Sequence, residues 1–224
     1  MMTHRPPPEL IPMTGRQRGF SLIELLIVVV VSLIATAMAA PSFVSTLRNY
    51  RISGDGRDLN GEILTAKMRA ASNFTMARVY ADTSANTFRI ETWDKANECW
   101  KTEGAADCTT QLSNSLSGGV SFGYGSLGSP PAGTQATIGQ ALPCKPGATS
   151  VPPGNDPTGG SDITSTACIM FNSRGIPVDN SRAPFADNAL YITDTNAVYG
   201  VTISATGITR IWRSPAGTVS WQRR

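Results

Sequence analysis

One stretch constrains this chain more than any other. Residues 20–40 form a run of twenty-one in which Glu24 carries the sole side-chain charge. A helix of that length rises roughly 30 Å, which matches the hydrocarbon core of a bilayer. A carboxylate inside such a helix costs roughly 3 kcal/mol on insertion scales, and less near an end that reaches the interface. The segment therefore belongs in a membrane or in a bundle of apolar helices, and Glu24 needs a partner of opposite charge.

Three readings fit the run. As a plain anchor, its N-terminal flank would be held in the cytoplasm by Arg16 and Arg18. As a secretory signal, it would end at "TAMAA", where Ala37 and Ala39 satisfy the small-x-small rule and a soluble, adhesin-like domain would leave after Ala39. Against that reading, Glu24 falls near the start of the apolar region, which is longer than a signal peptide needs. The third reading rests on the junction "RGFSLIEL", residues 18–25. It resembles the class III signal of type IV pilins and type II secretion pseudopilins.

That resemblance implies a course of events. A dedicated prepilin peptidase would cut after Gly19 and methylate the new terminal amine of Phe20. Glu24, at mature position five, would pair with the terminal ammonium of a neighbouring subunit. Pro41 stands where such helices usually carry a proline. The implied partners are other pilin or pseudopilin subunits and the peptidase, with the inner membrane as host before assembly into a periplasmic or extracellular filament. The physics agrees: two opposite charges in a low-dielectric setting lower each other's burial cost. Residues 1–19 would then be a leader, 20–53 the membrane and assembly helix, and 54–224 a globular domain.

Met13 offers a shorter leader than Met1 or Met2. The chain's one histidine, His4, lies within the leader, as do Arg5, Glu9, Arg16 and Arg18. Without residues 1–19, Lys+Arg falls from 19 to 16 and Asp+Glu from 16 to 15, so the net charge drops from +3 to +1. A basic sequence pI thus says little about nucleic acid.

Behind Pro41 there is enough chain for one globular domain with its own core. Cys99, Cys108, Cys144 and Cys168 include no C-x-x-C pair, and in an exported domain an even count reads as two disulfides. Three pairings are open; Cys99–Cys108 and Cys144–Cys168 are preferred because each closes a local loop.

The helix is expected to continue through Phe43, Leu47 and Tyr50 and to break at "SGDG", residues 53–56. A second helix is expected over 57–73, with Leu59, Ile63, Ala66 and Ala70 on one face and Lys67 and Arg69 turned away. "ARVYAD" and "TFRIETW" read as a hairpin, followed by "ACIMF", "ALYITD", "VYGVTIS" and "ITRIWRS" as strands. The expected fold class is α+β: a long N-terminal hydrophobic helix and an antiparallel sheet lying against the helical segment. "DLNGEILTAKMRAA" and the C-terminal strands with their glycine turn resemble GspH/FimT-type minor pilins and pseudopilins, which leaves residues 95–165 outside the likeness.

Within that gap, residues 118–160 hold eleven Gly and seven Pro, with Lys145 and Asp156 as the charged positions. The composition predicts a long surface loop over about 118–165 that buries little. Asn155, Asp156 and Asp162 are oxygen ligands without the spacing of a calcium loop. No metal or other cofactor is expected.

Nor is an enzyme. Without the leader there is no histidine for a triad, and no phosphate-binding glycine loop occurs. Glu91, Asp94 and Glu98, beside Trp93 and Trp100, read as a solvated rim. A DNA-receptor role is the alternative that the FimT likeness implies. In those proteins a C-terminal Gly-Arg-x-Arg motif makes the contact, whereas here Ile208 replaces the first arginine in Gly207-Ile208-Thr209-Arg210. Arg210, Arg213, Arg223 and Arg224 remain as candidates for phosphate contacts.

Overall fold

The computed structural model describes residues 19–127, 139–147, 156–186 and 188–224. One helix, α1 (Leu22–Ser72), runs for 51 residues. The break expected at residues 53–56 does not occur, and the two expected helices are one. The reason lies in remote parts of the chain. Asp55 is buried and accepts hydrogen bonds from the Ser117 amide at 3.0 Å and hydroxyl at 2.8 Å. Gly56 faces the ring of Tyr199, where an added Cβ would stand 3.3 Å from a ring carbon. A glycine in a helix costs about 1 kcal/mol relative to alanine, which this packing outweighs. After Ser72 the chain turns at Phe74, whose φ is 48°.

By internal packing the chain divides at Ser45. In the unit up to Ser45, every described side chain is exposed. Ser32 and Thr36 turn back onto the helix's own carbonyls, those of Val28 and Ser32, at 2.7 Å each. Such i−4 bonds satisfy a hydroxyl without any external partner. Glu24 has no comparable bond among the described residues.

In the unit Thr46–Arg224, α1 buries Ile52, Leu59, Ile63, Ala66 and Ala70, a stripe with helical spacing. Lys67 does not turn away as expected; its Nζ donates to the Gly207 carbonyl at 3.1 Å. Arg69 pairs with Glu103.

The strands form two sheets rather than the single one expected. The first contains β1 (Ala77–Asp82), β2 (Thr87–Asp94), β3 (Cys99–Thr102), β4 (Asn114–Ser115), β6 (Thr166–Phe171) and β7 (Pro177–Val178). Its order is β3-β2-β1-β6-β7, with β4 also on β2. The second contains β5 (Ser121–Phe122), β8 (Asn188–Thr193), β9 (Ala197–Ile203), β10 (Thr209–Pro215) and β11 (Gln222–Arg223), in the order β11-β10-β9-β8-β5. All these pairings are antiparallel. Val79, Ile169 and Phe171 of one sheet share a core with Leu190, Ile192 and Val201 of the other and with the helix stripe. Two sheets arise because β6 returns to β1, while β8, β9 and β10 form a meander of their own.

Along β1 and β2 the alternate residues point away from α1, and they too are covered. Glu91 is not on a rim: it is 4 % exposed and lies between Arg78 and Arg89, at 2 % and 8 %. Arg78 Nε and Arg89 Nε donate to its two oxygens at 2.6 and 2.7 Å. The guanidinium of Arg78 lies over Trp100 at 4.0 Å and that of Arg89 over Tyr80 at 3.8 Å. Burial pushes the Arg78 guanidinium below its usual range, and the Glu91 carboxylate opposes that shift.

The glycine- and proline-rich segment supplies part of the cover. Arg78 Nη1 donates to the Lys145 carbonyl at 2.5 Å, and Trp100 Nε1 to that of Pro157 at 3.0 Å. Gly147, at φ 90°, sits so close to Trp93 that a Cβ would fall 2.5 Å from its ring. The expectation of a loop that buries little is therefore corrected in its described parts, where Val120, Ala141 and Cys144 are all buried. Sequence composition hid this because irregular backbone has no periodicity to read. Disulfides join Cys99 to Cys108 and Cys144 to Cys168; the second ties the segment to β6.

Candidate functional site

Two places collect the residues that the sequence singles out. The first is the start of α1. Gly19 and Phe20 precede its first residue, Leu22, and Phe20 is 82 % exposed. Glu24 lies in the first turn, where the unpaired amides of a helix favour a negative charge. Residues 22–44 then expose Leu, Ile, Val, Met and Phe around the whole circumference, and the helix is long and apolar enough to cross a membrane. A surface of this kind is stable in lipid or against other apolar helices.

The second place lies beside β10. Residues three apart on a strand face opposite ways, and the pairing bears this out. Arg213 stands opposite Tyr199, and Arg210 opposite Thr202. Arg223 pairs with Trp212, on the Arg210 side of the sheet. The four candidate arginines thus divide two and two. Arg213 and Arg224 line an open cleft of about 410 Å³ together with Arg57 of α1, and with Asn49, Ser53 and Tyr199. No ion pair within 4.0 Å involves these three arginines among the described residues. Sequence spacing gave no hint of Arg57, which is more than 150 positions from Arg213.

The oxygen-bearing side chains of the glycine- and proline-rich segment have other uses. Asp156 accepts a hydrogen bond from Arg182 and caps its own turn through the Thr158 amide and hydroxyl. Asp162 faces Lys145 Nζ at 3.8 Å. Asn155 lies outside the described residues. Among the described residues no three His, Cys, Asp or Glu side chains gather as a metal site would require. Asp94 caps the turn to Asn97, and Glu98 occupies that turn's positive-φ position at 51°.

Comparison with known proteins adds to this geometry at the N-terminus. Residues 14–40 match the family model described as the prokaryotic N-terminal methylation motif. That match takes in the junction at Gly19 and Phe20, Glu24 and the apolar start of α1 as far as Ala40. Among solved structures, the chain is similar to the minor pseudopilin EpsH from the Type 2 Secretion System of Vibrio cholerae. That likeness has 12 % identity and a TM-score of 0.42, covering 75 % of this chain and 99 % of the other. No curated protein matches the chain.

Proposed function

We propose that this protein is a minor pilin or pseudopilin, a structural subunit of a type IV pilus or of a type II secretion pseudopilus. Prepilin peptidase cuts its precursor after Gly19 and methylates Phe20. The apolar half of α1 holds the subunit in the inner membrane and later packs among the helices of a filament. The observation that carries this reading is the fully exposed apolar helix with a single charge, Glu24, four residues after Phe20. Within one helix that carboxylate reaches at most its own terminal amine. A staggered neighbour lets every Glu24 along a filament meet an ammonium, so the pair fixes the register of assembly.

The test is the mass and terminal sequence of the protein from cells that hold the cognate peptidase. A chain that starts at methylated Phe20 is expected; one that starts at Ala40 would sink the filament reading in favour of a secreted domain. Glu24→Ala is expected to insert normally and to reach filaments poorly. Normal incorporation of that variant would remove the register role.

DNA uptake is the second reading, and one observation favours it: Arg213 and Arg224 share a cleft with a third arginine. The replacement of the motif arginine by Ile208 and the placement of Arg210 and Arg223 on the other side of the sheet weigh against it. Retention of the full chain on duplex DNA across a salt series tests it, since phosphate contacts give a steep salt dependence.

A further inference from the structure

The arginine cleft has a counterpart of opposite sign on the same helix. Asp55, Asp58 and Glu62 line a second open cleft, of about 500 Å³, with Asn114 and Ser115 of β4, and Arg57 borders it too. Asp58 is exposed, and neither it nor Glu62 has a basic partner within 4.0 Å among the described residues. Asn114 Nδ2 donates to Glu62 at 3.0 Å, and burial pushes the Glu62 carboxyl above its usual range.

The two clefts lie on opposite flanks of α1. Asn49, Ser53 and Arg57 recur at four-residue steps and face β9 and β10, while Asp58 and Glu62 recur at the same step and face β2 and β4. Adjacent helix positions are turned by roughly 100°, and Arg57, between the two flanks, borders both clefts. The helix residues of the two clefts are centred about seven positions apart, or roughly 10 Å along α1. Three guanidinium groups gathered without a carboxylate repel one another, as two nearby carboxylates do. The first cleft is lined by arginines and no carboxylate, the second by Asp55, Asp58 and Glu62 with Arg57 at its border, so the two differ in net sign.

A filament relates each subunit to the next by one rotation and one rise. The contact between neighbours is therefore heterologous, with one patch meeting a different patch. We propose that the cleft of Arg57, Arg213 and Arg224 receives the flank bearing Asp58 and Glu62 of a second copy of this chain. The inference rests on the subunit reading and adds a lateral, charge-selective contact between globular domains to the Phe20–Glu24 contact between helices. Arginine suits it because its planar fork holds a carboxylate by two parallel bonds.

Two differently tagged full-length copies, produced together in cells with the peptidase, test it. One carries Arg213→Glu and Arg224→Glu, and the other Asp58→Lys and Glu62→Lys. Either variant alone is expected to lose self-association at least tenfold, read as co-purification of two tagged copies of that variant, and the pair together to regain it. A copy with Arg224→Cys and another with Asp58→Cys are expected to form a disulfide-linked dimer, which reports the contact without reversing any charge. Unchanged self-association of both charge variants would overturn the proposal. So would charge variants that keep self-association while the arginine variant loses retention on duplex DNA, since the cleft would then serve phosphates. Cleavage after Gly19 is read on the same samples: an uncut chain would sink the subunit reading and this one with it. A cut chain indifferent to the reversed charges would sink this one alone.

Discussion

The two halves of α1 are built from one continuous backbone and live by different rules. Up to Ser45 the helix exposes apolar side chains on every side; from Thr46 onward it is apolar along one stripe, which two sheets cover. The buried half is finished by its own chain, even to the charged face beyond the first sheet, where Glu91 holds two arginines. The exposed half is unfinished. Its partner must come from outside, and in the proposed assembly the one charge within it, Glu24, sets the register. Protein stability and protein assembly are thus written on separate stretches of a single element.

The comparison can be broken by substitutions with graded effects. The largest expected loss follows Glu91→Ala, which leaves Arg78 and Arg89 buried without their carboxylate. Breaking a buried pair costs about 3–5 kcal/mol. Urea unfolding of the detergent-solubilised full chain, followed by tryptophan fluorescence, reads it through Trp93 and Trp100. A loss under 1 kcal/mol would mean that water reaches this face.

Next come Ile63→Ala and Leu26→Ala, similar deletions in opposite halves. In the buried half the expected cost is about 2–5 kcal/mol; in the exposed half it is within about 0.5 kcal/mol, with any defect appearing in assembly. Equal losses in the same unfolding assay would erase the distinction between the halves.

Gly147→Ala should cost about 1–3 kcal/mol, because a Cβ meets the Trp93 ring and the positive φ disfavours any side chain. An unchanged midpoint would show that the segment over the first sheet gives way freely, and that this face is less closed than α1's buried stripe.

The smallest effect is a pH dependence. Asp107 is fully exposed, and hydrogen bonds from the Thr110 amide first, then the Thr109 and Thr110 side chains, hold its carboxyl down at about 2. Its folded value lies below the unfolded one of about 3.9. The contribution is therefore complete above pH 4 and disappears as pH falls through about 2. Melting temperatures of the parent protein and of Asp107→Asn should converge over that window. A constant gap between them would assign the difference to packing.

Much of this was legible because it is local. Alternation marked β1 and β2, and runs of strand-forming residues bounded by turn clusters marked β6, β8, β9 and β10, all within a residue or two. The junction at Gly19, the exposed run and Glu24 were legible too, because a missing charge and a misplaced one both show in a single window. The helix through Gly54, Asp55 and Gly56 was not. Read locally those residues are breakers, and only Ser117 and Tyr199, far along the chain, make them helical. The closed outer face was hidden in the same way, as Lys145, Gly147 and Pro157 meet Arg78, Trp93 and Trp100 through irregular backbone. The division of Arg210 and Arg223 from Arg213 and Arg224 depends on strand register, and the company of Arg57 depends on where α1 lies against β10.

The sequence by itself determined the apolar run, its lone carboxylate, the motif around Gly19 and Phe20 and the strand-forming segments, because each follows from side-chain chemistry over a few neighbouring positions. Tertiary structure alone decided that one helix serves both halves, that two sheets share its buried stripe, and that opposite charges gather on its two flanks. Those outcomes depend on contacts between residues tens to hundreds of positions apart, and no local pattern encodes them.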